Sequence, residues 1–457
     1  MIKILFYSWD YLEGNYGGGV SVYLRNLISV LSKNGKYECS YLNAGLTYTS
    51  DHKMKIRDIH NENTQIKCYE LINSPVLAPV RQSIKNVENY LNDQSMHDVV
   101  KDFISKHDFD IIHFNNLEGL SLSVLNLKKV FPKVKFIYSV HNYFPVCTRT
   151  NLWKDELSNN AHNCDKKSFE ECANCYEQIN YRATVFQRIH RGLPGMRTLA
   201  GKYSKIFPDH GNLDSYQQFE EVTIQSINEN MDIILAVSER VKEILVRSGI
   251  NADKTYVSYI GTKAAEIERN KCTINPYQDY FQLIYMGYMR PEKGFYFFID
   301  ALEHMDENIS NKVNIRIVVR YGKENSNEVT KIEKLKTKFH KVELVNGYNK
   351  DNQCNLLEDV NLGVVPVLWE DNLPQVAIEQ IAYGVPIFVS NLGGAMELCN
   401  NADFVFEAGD KDDFLDKLCQ IINHRNKLEE FWEYSKKLIT MDEHINELEG
   451  YYYEVGS

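Results

Sequence analysis

The residues best placed to do chemistry lie in the second half of the chain. Residues 286–294 read MGYMRPEKG: an apolar run ends at Gly287, and Arg290 and Lys293 follow on a loop. Two cations beyond the carboxyl end of a buried strand suit a phosphate or diphosphate, because ligands of open α/β sheets bind in the crevice at that end. Residues 369–386 read WEDNLPQVAIEQIAYGVP. Asn372 is a candidate cap for a helix with Pro374 in its first turn and Gly384 at its end. The start of such a helix offers N–H groups to an anion along 373–376. Glu379 stands about 7–8 Å beyond Pro374 along that helix, at 1.5 Å per residue. A carboxylate there can accept two hydrogen bonds from a diol such as a ribose. A lone acid on a helix is by default a solvated side chain, but the sequence on both sides of Glu379 is apolar.

The first half carries weaker signals. Gly17, Gly18 and Gly19 follow the first apolar run and open an amphipathic stretch with Val20, Tyr23, Leu24, Leu27, Ile28 and Leu31 on one face. Glycines let a backbone approach a ligand closely, although a flexible turn needs them as well. A dinucleotide site is disfavoured, since Val22 stands where the third glycine belongs and no acid follows the strand region at 41–44. Cys147, Cys164, Cys172 and Cys175 fall in one polar insertion, the last two as Cys-x-x-Cys. Four thiolates at such spacing can close a tetrahedral zinc site and staple a segment without its own core, with His162 as a substitute ligand. The other reading is unrelated buried thiols. Further on, Arg182, Arg188, Arg191, Arg197, Lys202 and Lys205 alternate with Phe186, Ile189, Leu193 and Met196. That pattern suits an anionic membrane or a lipid-linked acceptor, or simply a solvated helix face. The pair Asp410 and Asp412 resembles a metal motif but stands at a helix start, where capping is the expected role.

These residues need elements to hold them. Strand candidates are 2–8, 110–115, 135–141, 232–238 and 255–261 in the first half, and 281–287, 314–321, 342–346, 362–367 and 386–390 in the second. Several are nearly continuous apolar runs, as expected of strands buried on both faces. Helical stretches alternate with them, which implies an α/β chain with parallel sheets. The polar stretch 262–280 separates two such series. The expected organisation is therefore a first domain over 1–265 with a cysteine-bearing insertion at 147–225, a second over 275–435, and a terminal helix at 436–457 returning to the first.

The chain has 457 residues and a formal net charge of −11. That balance excludes a general nucleic-acid binder, whose affinity rests on neutralising phosphates. No run of about 18 apolar residues suggests a membrane span. The amino terminus reads as a first strand rather than an export signal, so a cytoplasmic protein with reduced thiols is expected.

The two chemical segments, followed by IFVSNLGGAMEL, resemble the carboxyl-terminal half of the family 4 glycosyltransferases of GT-B fold. That family combines a Gly-Arg…Glu-Lys-Gly loop with a Glu-x7-Glu motif before a Gly-x-Pro strand. In the first half, GGGVSVYLRNL, IYSVHNYFP, AVSERVKE and VSYIGTK resemble its glycine loop, His-Asp strand end, serine helix entry and Asn-Gly segment. FVFEAGDKDDF resembles its Pro-Gly-Asp segment. The resemblance implies two Rossmann-like doubly wound domains facing across a cleft. It also implies a retaining, metal-independent transfer of sugar from a nucleotide-sugar, UDP-linked, to a glycan, lipid-linked or protein acceptor. The setting would be synthesis of bacterial surface polysaccharide or glycoconjugate, in the cytoplasm at the inner face of the membrane.

The catalytic set so implied is His141, Arg290, Lys293 and Asp371. The donor-binding set is Gly18, Gly19, Tyr348, Asn372, Leu373, Pro374, Gln375, Val376 and Glu379. Glu370 neighbours Asp371 and competes with it for the sugar. Tyr288 stands where the family arginine usually follows the glycine, Asn142 replaces the usual Asp, and Ile260 the usual Asn. These departures keep open a non-catalytic partner subunit as the alternative.

Overall fold

The computed structural model describes residues 1–13, 18–59, 66–76, 78, 87–147, 149–154, 162–164, 168–169, 171–172, 213–267, 279–349 and 352–453. The chain divides into two compact units. One comprises Met1–Asn160, Cys164–Ile260 and Asp442–Ser457; the other comprises Ala161–Asn163 and Gly261–Met441.

The first unit holds an eight-stranded sheet. Its strands are β1 (Ile2–Tyr7), β2 (Tyr37–Ala44), β3 (Lys55–Ile59), β4 (Lys67–Ile72), β5 (Ile111–Phe114), β6 (Lys135–Val140), β9 (Ile233–Ala236) and β10 (Thr255–Val257). Two two-residue strands, β7 (Trp153–Lys154) and β8 (His162–Asn163), intervene in sequence. The order is β10-β9-β6-β5-β1-β2-β4-β3. All pairs are parallel except β3 with β4. The runs IKILFY, KFIYSV and IILA need cover on both faces, which parallel crossovers through helices provide. Strand order reverses between β1 and β5, and the crevice beyond the carboxyl ends of those two strands is where such sheets take ligands.

The last helix, Met441–Tyr453, counts with this unit from Asp442 onward. It is anchored by polar bonds as well as by packing. The Tyr37 hydroxyl donates to Glu449 Oε1 at 2.9 Å, and Tyr452 Oη lies 2.9 Å from His113 Nδ1.

The second unit holds six parallel strands: β11 (Phe281–Gly287), β12 (Val313–Val319), β13 (Lys341–Asn346), β14 (Leu362–Val365), β15 (Ile387–Ser390) and β16 (Val405–Phe406). Their order is β13-β12-β11-β14-β15-β16, the doubly wound arrangement with its switch between β11 and β14. Ile284, Met286, Val318, Leu357, Val360 and Val385 form a core cluster beneath one face, with Val345, Tyr348 and Val376 packed against it. This packing ties the residues that open the crevice to the sheet itself. Among the described residues no helix is long and apolar enough to cross a membrane.

Candidate functional site

In the second unit the two chemical segments leave adjacent strands. Leu283 of β11 is in register with Leu362 of β14, so the loops after both strands emerge side by side at the switch point. The first loop returns into the helix Phe295–His304 through Gly294, whose φ of +71° favours glycine. A Cβ on Gly294 would stand 1.6 Å from the carbonyl oxygen of Pro366, so the two loops touch backbone to backbone. This contact sets Lys293 against the second loop. Its Nζ lies 2.6 Å from Asp371 Oδ2 and 4.7 Å from the centre of the Trp369 ring. A cation over an aromatic face and against a carboxylate is held in one place by two attractions.

The two neighbouring acids have different partners. Glu370 is 1% exposed and accepts from Gly393 N at 3.0 Å and from Asn163 Nδ2 at 3.3 Å. Asp371 bonds Lys293 through its side chain, and its carbonyl accepts from Gly394 N at 2.8 Å. Gly393, at φ +68°, admits this approach, since a Cβ there would meet the Asp371 carbonyl oxygen at 2.1 Å. Glu370 thus ties two loops together, and Asp371 is the acid that faces the lysine. Arg290 is not drawn in with them. Its side chain is 61% exposed, 3.7 Å from Glu292 Oε1 and 5.3 Å from the Tyr288 ring centre.

The helix after Asp371 starts later than the sequence suggests. It spans Gln375–Ala382, with Pro374 at the N-cap position and no side-chain cap. Asn372 is not the cap; it lies upstream, buried beside Leu373. Proline explains the shift, because the residue before it is held out of helical backbone, and Pro374 itself has ψ 121°. Pro374 has no N–H, and its carbonyl accepts from Ala377 N at 3.0 Å. The N–H groups at the helix start are therefore those of Gln375 and Val376, one fewer than 373–376 offered, since Pro374 has none. Glu379 follows one turn on, and its Oε2 accepts from the Tyr348 hydroxyl at 2.9 Å. Burial, and then the neighbouring carboxylate, push the Tyr348 phenol well above its ordinary pKa, so it stays a donor to Glu379.

In the first unit Gly18 takes the N-cap position of the helix Gly19–Lys33, and nothing lies within 4 Å of where its Cβ would be. Gly17 lies outside the described residues. His141 follows β6 directly. Its Nε2 is 3.2 Å from Asn115 Oδ1, and its ring lies 5.1 Å from that of Tyr23 in the glycine-led helix. Burial first, and then His444, lower its pKa to about 3, which makes it a neutral imidazole at ordinary pH. Two further histidines share this environment. His113 has Nε2 2.7 Å from Ser139 Oγ, and His444 has Nε2 2.7 Å from the Tyr23 hydroxyl. Burial pushes these down to about 3 and about 4 respectively. Asn115, Tyr23, His444 and Trp369 had no motif to mark them. Only Trp369, opening the acidic segment, carried a local hint.

The zinc expectation is not supported. Among the described residues no three of His, Cys, Asp or Glu come together as a ligand group, and Cys147, Cys164 and Cys172 are among those described. Their backbones belong to different local turns: Cys147 N donates to Tyr143 O, Cys164 N to Leu152 O, and Cys172 N to Ser168 O. Cys175 and the basic residues Arg182, Arg188, Arg191, Arg197, Lys202 and Lys205 lie outside the described residues. Asp410 caps the helix Lys411–Asn423, accepting from Asp412 N and Asp413 N at 3.0 Å each, as expected of a capping rather than a metal-binding acid.

This architecture recurs in solved structures. Sucrose-phosphate synthase from Thermosynechococcus elongatus superposes with a TM-score of 0.58 at 13% identity, over 100% of this chain and 99% of that one. The HepE protein of Anabaena in complex with UDP and glucose gives 0.57 at 14% identity, over 99% of both chains. A glycosyltransferase from Rickettsia africae gives 0.59 at 15%, over 99% of this chain and 98% of that one. Among curated proteins none matches the chain by sequence at a significant level. The fold is GT-B, with two Rossmann-like units. Residues 266–438 match the family described as glycosyl transferases group 1, so the second unit carries a domain of that family. Enzymes of that family retain the anomeric configuration and need no metal for catalysis.

Proposed function

We propose that the chain transfers a hexose from a UDP-sugar to a hydroxyl of a glycan, a lipid-linked saccharide or a protein. The observation that carries this reading is the Lys293–Asp371 pair at the switch point, one short loop from a helix start and from Glu379. When a nucleotide-sugar loses its diphosphate, negative charge grows on the phosphate oxygens. Lys293 and the N–H groups of Gln375 and Val376 are already oriented to meet it, and such preorganised donors stabilise a transition state without reorganising. Glu379, steadied by Tyr348, takes the ribose hydroxyls. Asp371 binds a hydroxyl of the transferred sugar and keeps Lys293 in place until the diphosphate arrives. Arg290, on the exposed part of the loop, adds charge at the outer phosphate.

The UDP preference is supported by HepE, a structure of similar fold in complex with UDP and glucose. Surface polysaccharide or glycoconjugate synthesis on the cytoplasmic face of a membrane is the setting this reaction suits. The test is a panel of UDP-, GDP- and ADP-sugars, scored by thermal shift and by slow donor hydrolysis. A UDP-sugar should stabilise the protein and release nucleotide. Lys293→Ala and Glu379→Ala should each cut turnover by about 10²–10³, the usual cost of one such donor. No stabilisation by any donor would overturn the enzyme reading, and wild-type rates in both variants would show the donor to be bound elsewhere.

A further inference from the structure

Lys293 is already engaged by a carboxylate. All the residues concerned lie within Gly261–Met441. Its Nζ is 2.6 Å from Asp371 Oδ2, with the two side chains 27% and 11% exposed. The backbones on both sides are pinned. Leu368 N donates to Glu292 O at 2.9 Å, one residue before the lysine, and Gly294 closes on Pro366 one residue after it. Asp371 N donates to Trp369 O at 2.8 Å, and a Cβ on Gly393 would stand 2.6 Å from that same nitrogen. The pair can therefore part only by a swing of side chains, which the four-carbon stem of lysine allows. Among the described residues Asp371 Oδ1 accepts no bond, so this oxygen is open to a ligand.

We propose that Asp371 is a specificity-determining residue that makes the site prefer an intact nucleotide-sugar to the nucleoside diphosphate left after transfer. This rests on the reading above that Lys293 takes the diphosphate. A diphosphate reaches Lys293 only by replacing a carboxylate. The replaced carboxylate, 11% exposed, then lacks its cation, and a charge left uncompensated in such a place is costly. A sugar on the outer phosphate brings hydroxyls, which donate hydrogen bonds, while a carboxylate only accepts them. The intact nucleotide-sugar therefore satisfies the group it displaces. A free nucleoside diphosphate brings no hydrogen-bond donor at that end. Its terminal phosphate also carries about −1.5 to −2 charge near pH 7, more than it carries when a sugar esterifies it. The spent nucleotide thus confronts an unpaired carboxylate with added negative charge. Selectivity of this kind comes from a penalty on the wrong ligand as much as from a contact with the right one. It clears the site once the sugar has left.

The test is calorimetry on the full chain with UDP and UDP-glucose as probes, comparing wild type with Asp371→Asn. UDP should bind the variant about tenfold more tightly, the lower end for a hydrogen bond to a charged group, as befits a part-exposed pair. UDP-glucose should bind the variant no more tightly than wild type. Asp371→Ser removes the charge without supplying an amide; it should shift UDP in the same direction, and it decides alone if Asp371→Asn does not fold. On a Lys293→Ala background the gain should shrink, because no exchange takes place there. An equal gain on that background would reduce Asp371 to simple repulsion and overturn the exchange. A gain of the same size for UDP-glucose would also overturn the proposal, since Asp371 would not then tell the two ligands apart. UDP affinity unchanged in both variants would overturn it and leave the nucleotide site standing. Binding of neither probe by any of these proteins would defeat the UDP-sugar reading itself, and this proposal with it.

Discussion

Replacing His444 by glutamine should flatten the acid sensitivity of the first unit. His444 is 2% exposed and meets the Tyr23 hydroxyl at 2.7 Å. Burial lowers its pKa from 6.5 to about 4. In the unfolded chain the imidazole takes up its proton as the pH falls past about 6.5, while in the folded protein it resists until about 4. Its contribution is therefore intact above 6.5 and is lost progressively as the pH falls toward 4. Linkage between those two values gives a loss of about 2 kcal/mol at pH 5 relative to pH 8. Glutamine can set its amide where Nε2 stands but takes up no proton. The variant should be less stable than wild type at pH 8, and the gap should narrow by about 2 kcal/mol by pH 5. For a unit of this size that is about 4–8 °C in melting temperature. The assay is thermal unfolding followed by tryptophan fluorescence in steps from pH 8 to pH 5. His113 and His141 are held down mainly by burial and in smaller part by His444, so in the variant both rise somewhat, in the direction that adds to the narrowing. Asp51, Glu38 and Asp98 have lowered pKa values, so their losses fall at more acid pH. Melting curves that run parallel over the whole range would refute the reasoning, for they would mean that His444 titrates alike folded and unfolded.

Three other substitutions probe the second unit. Gly294→Ala places a Cβ 1.6 Å from the Pro366 carbonyl oxygen in left-handed backbone, and should cost more than about 3 kcal/mol; a melting temperature near wild type would show that the loops can separate freely. Tyr348→Phe removes the donor to Glu379 and should weaken UDP binding about tenfold by calorimetry, given that a hydrogen bond to a charged group is worth about 1.5–3 kcal/mol; unaltered affinity would dissociate the tyrosine from the nucleotide. Asp410→Ala should lower stability by about 1 kcal/mol through loss of the helix cap and leave turnover intact, whereas a metal-dependent loss of activity would contradict the capping role.

The sequence was readable where one kind of physics dominated. Strands such as 281–287 and 135–141 are buried on both faces and show as nearly continuous apolar runs, and their observed bounds differ by a residue at most. The edge of the first sheet was hidden. β3 reads KIRDI and is largely exposed, while β4 buries Glu70 against Arg57, with Nη2 2.7 Å from Oε2. A buried carboxylate, paired with a half-exposed arginine, spoils the hydrophobic signature of a strand that the fold nonetheless needs. In the candidate site, Lys293 and Glu379 stood out by the residues immediately around each, and Asp371 by the family resemblance; that Lys293 and Asp371 meet across 78 residues was not legible. Nor were the partners that orient them. Tyr348 is 31 residues from Glu379, and Asn115 is 26 from His141; only the strand order brings each pair together. The helix start was misplaced because Asn372 offers a capping side chain, but Pro374 dictates the backbone of its neighbour.

The first unit takes its last helix from beyond the whole of Gly261–Met441. During synthesis its sheet must therefore wait until Gly261–Met441 and the helix that follows have been made. At about 5–20 residues per second the delay is about 10–40 s. Throughout that interval the groove destined for Tyr452 and His444 is bare, with His113 and Tyr23 lacking the partners they will hold in the finished protein.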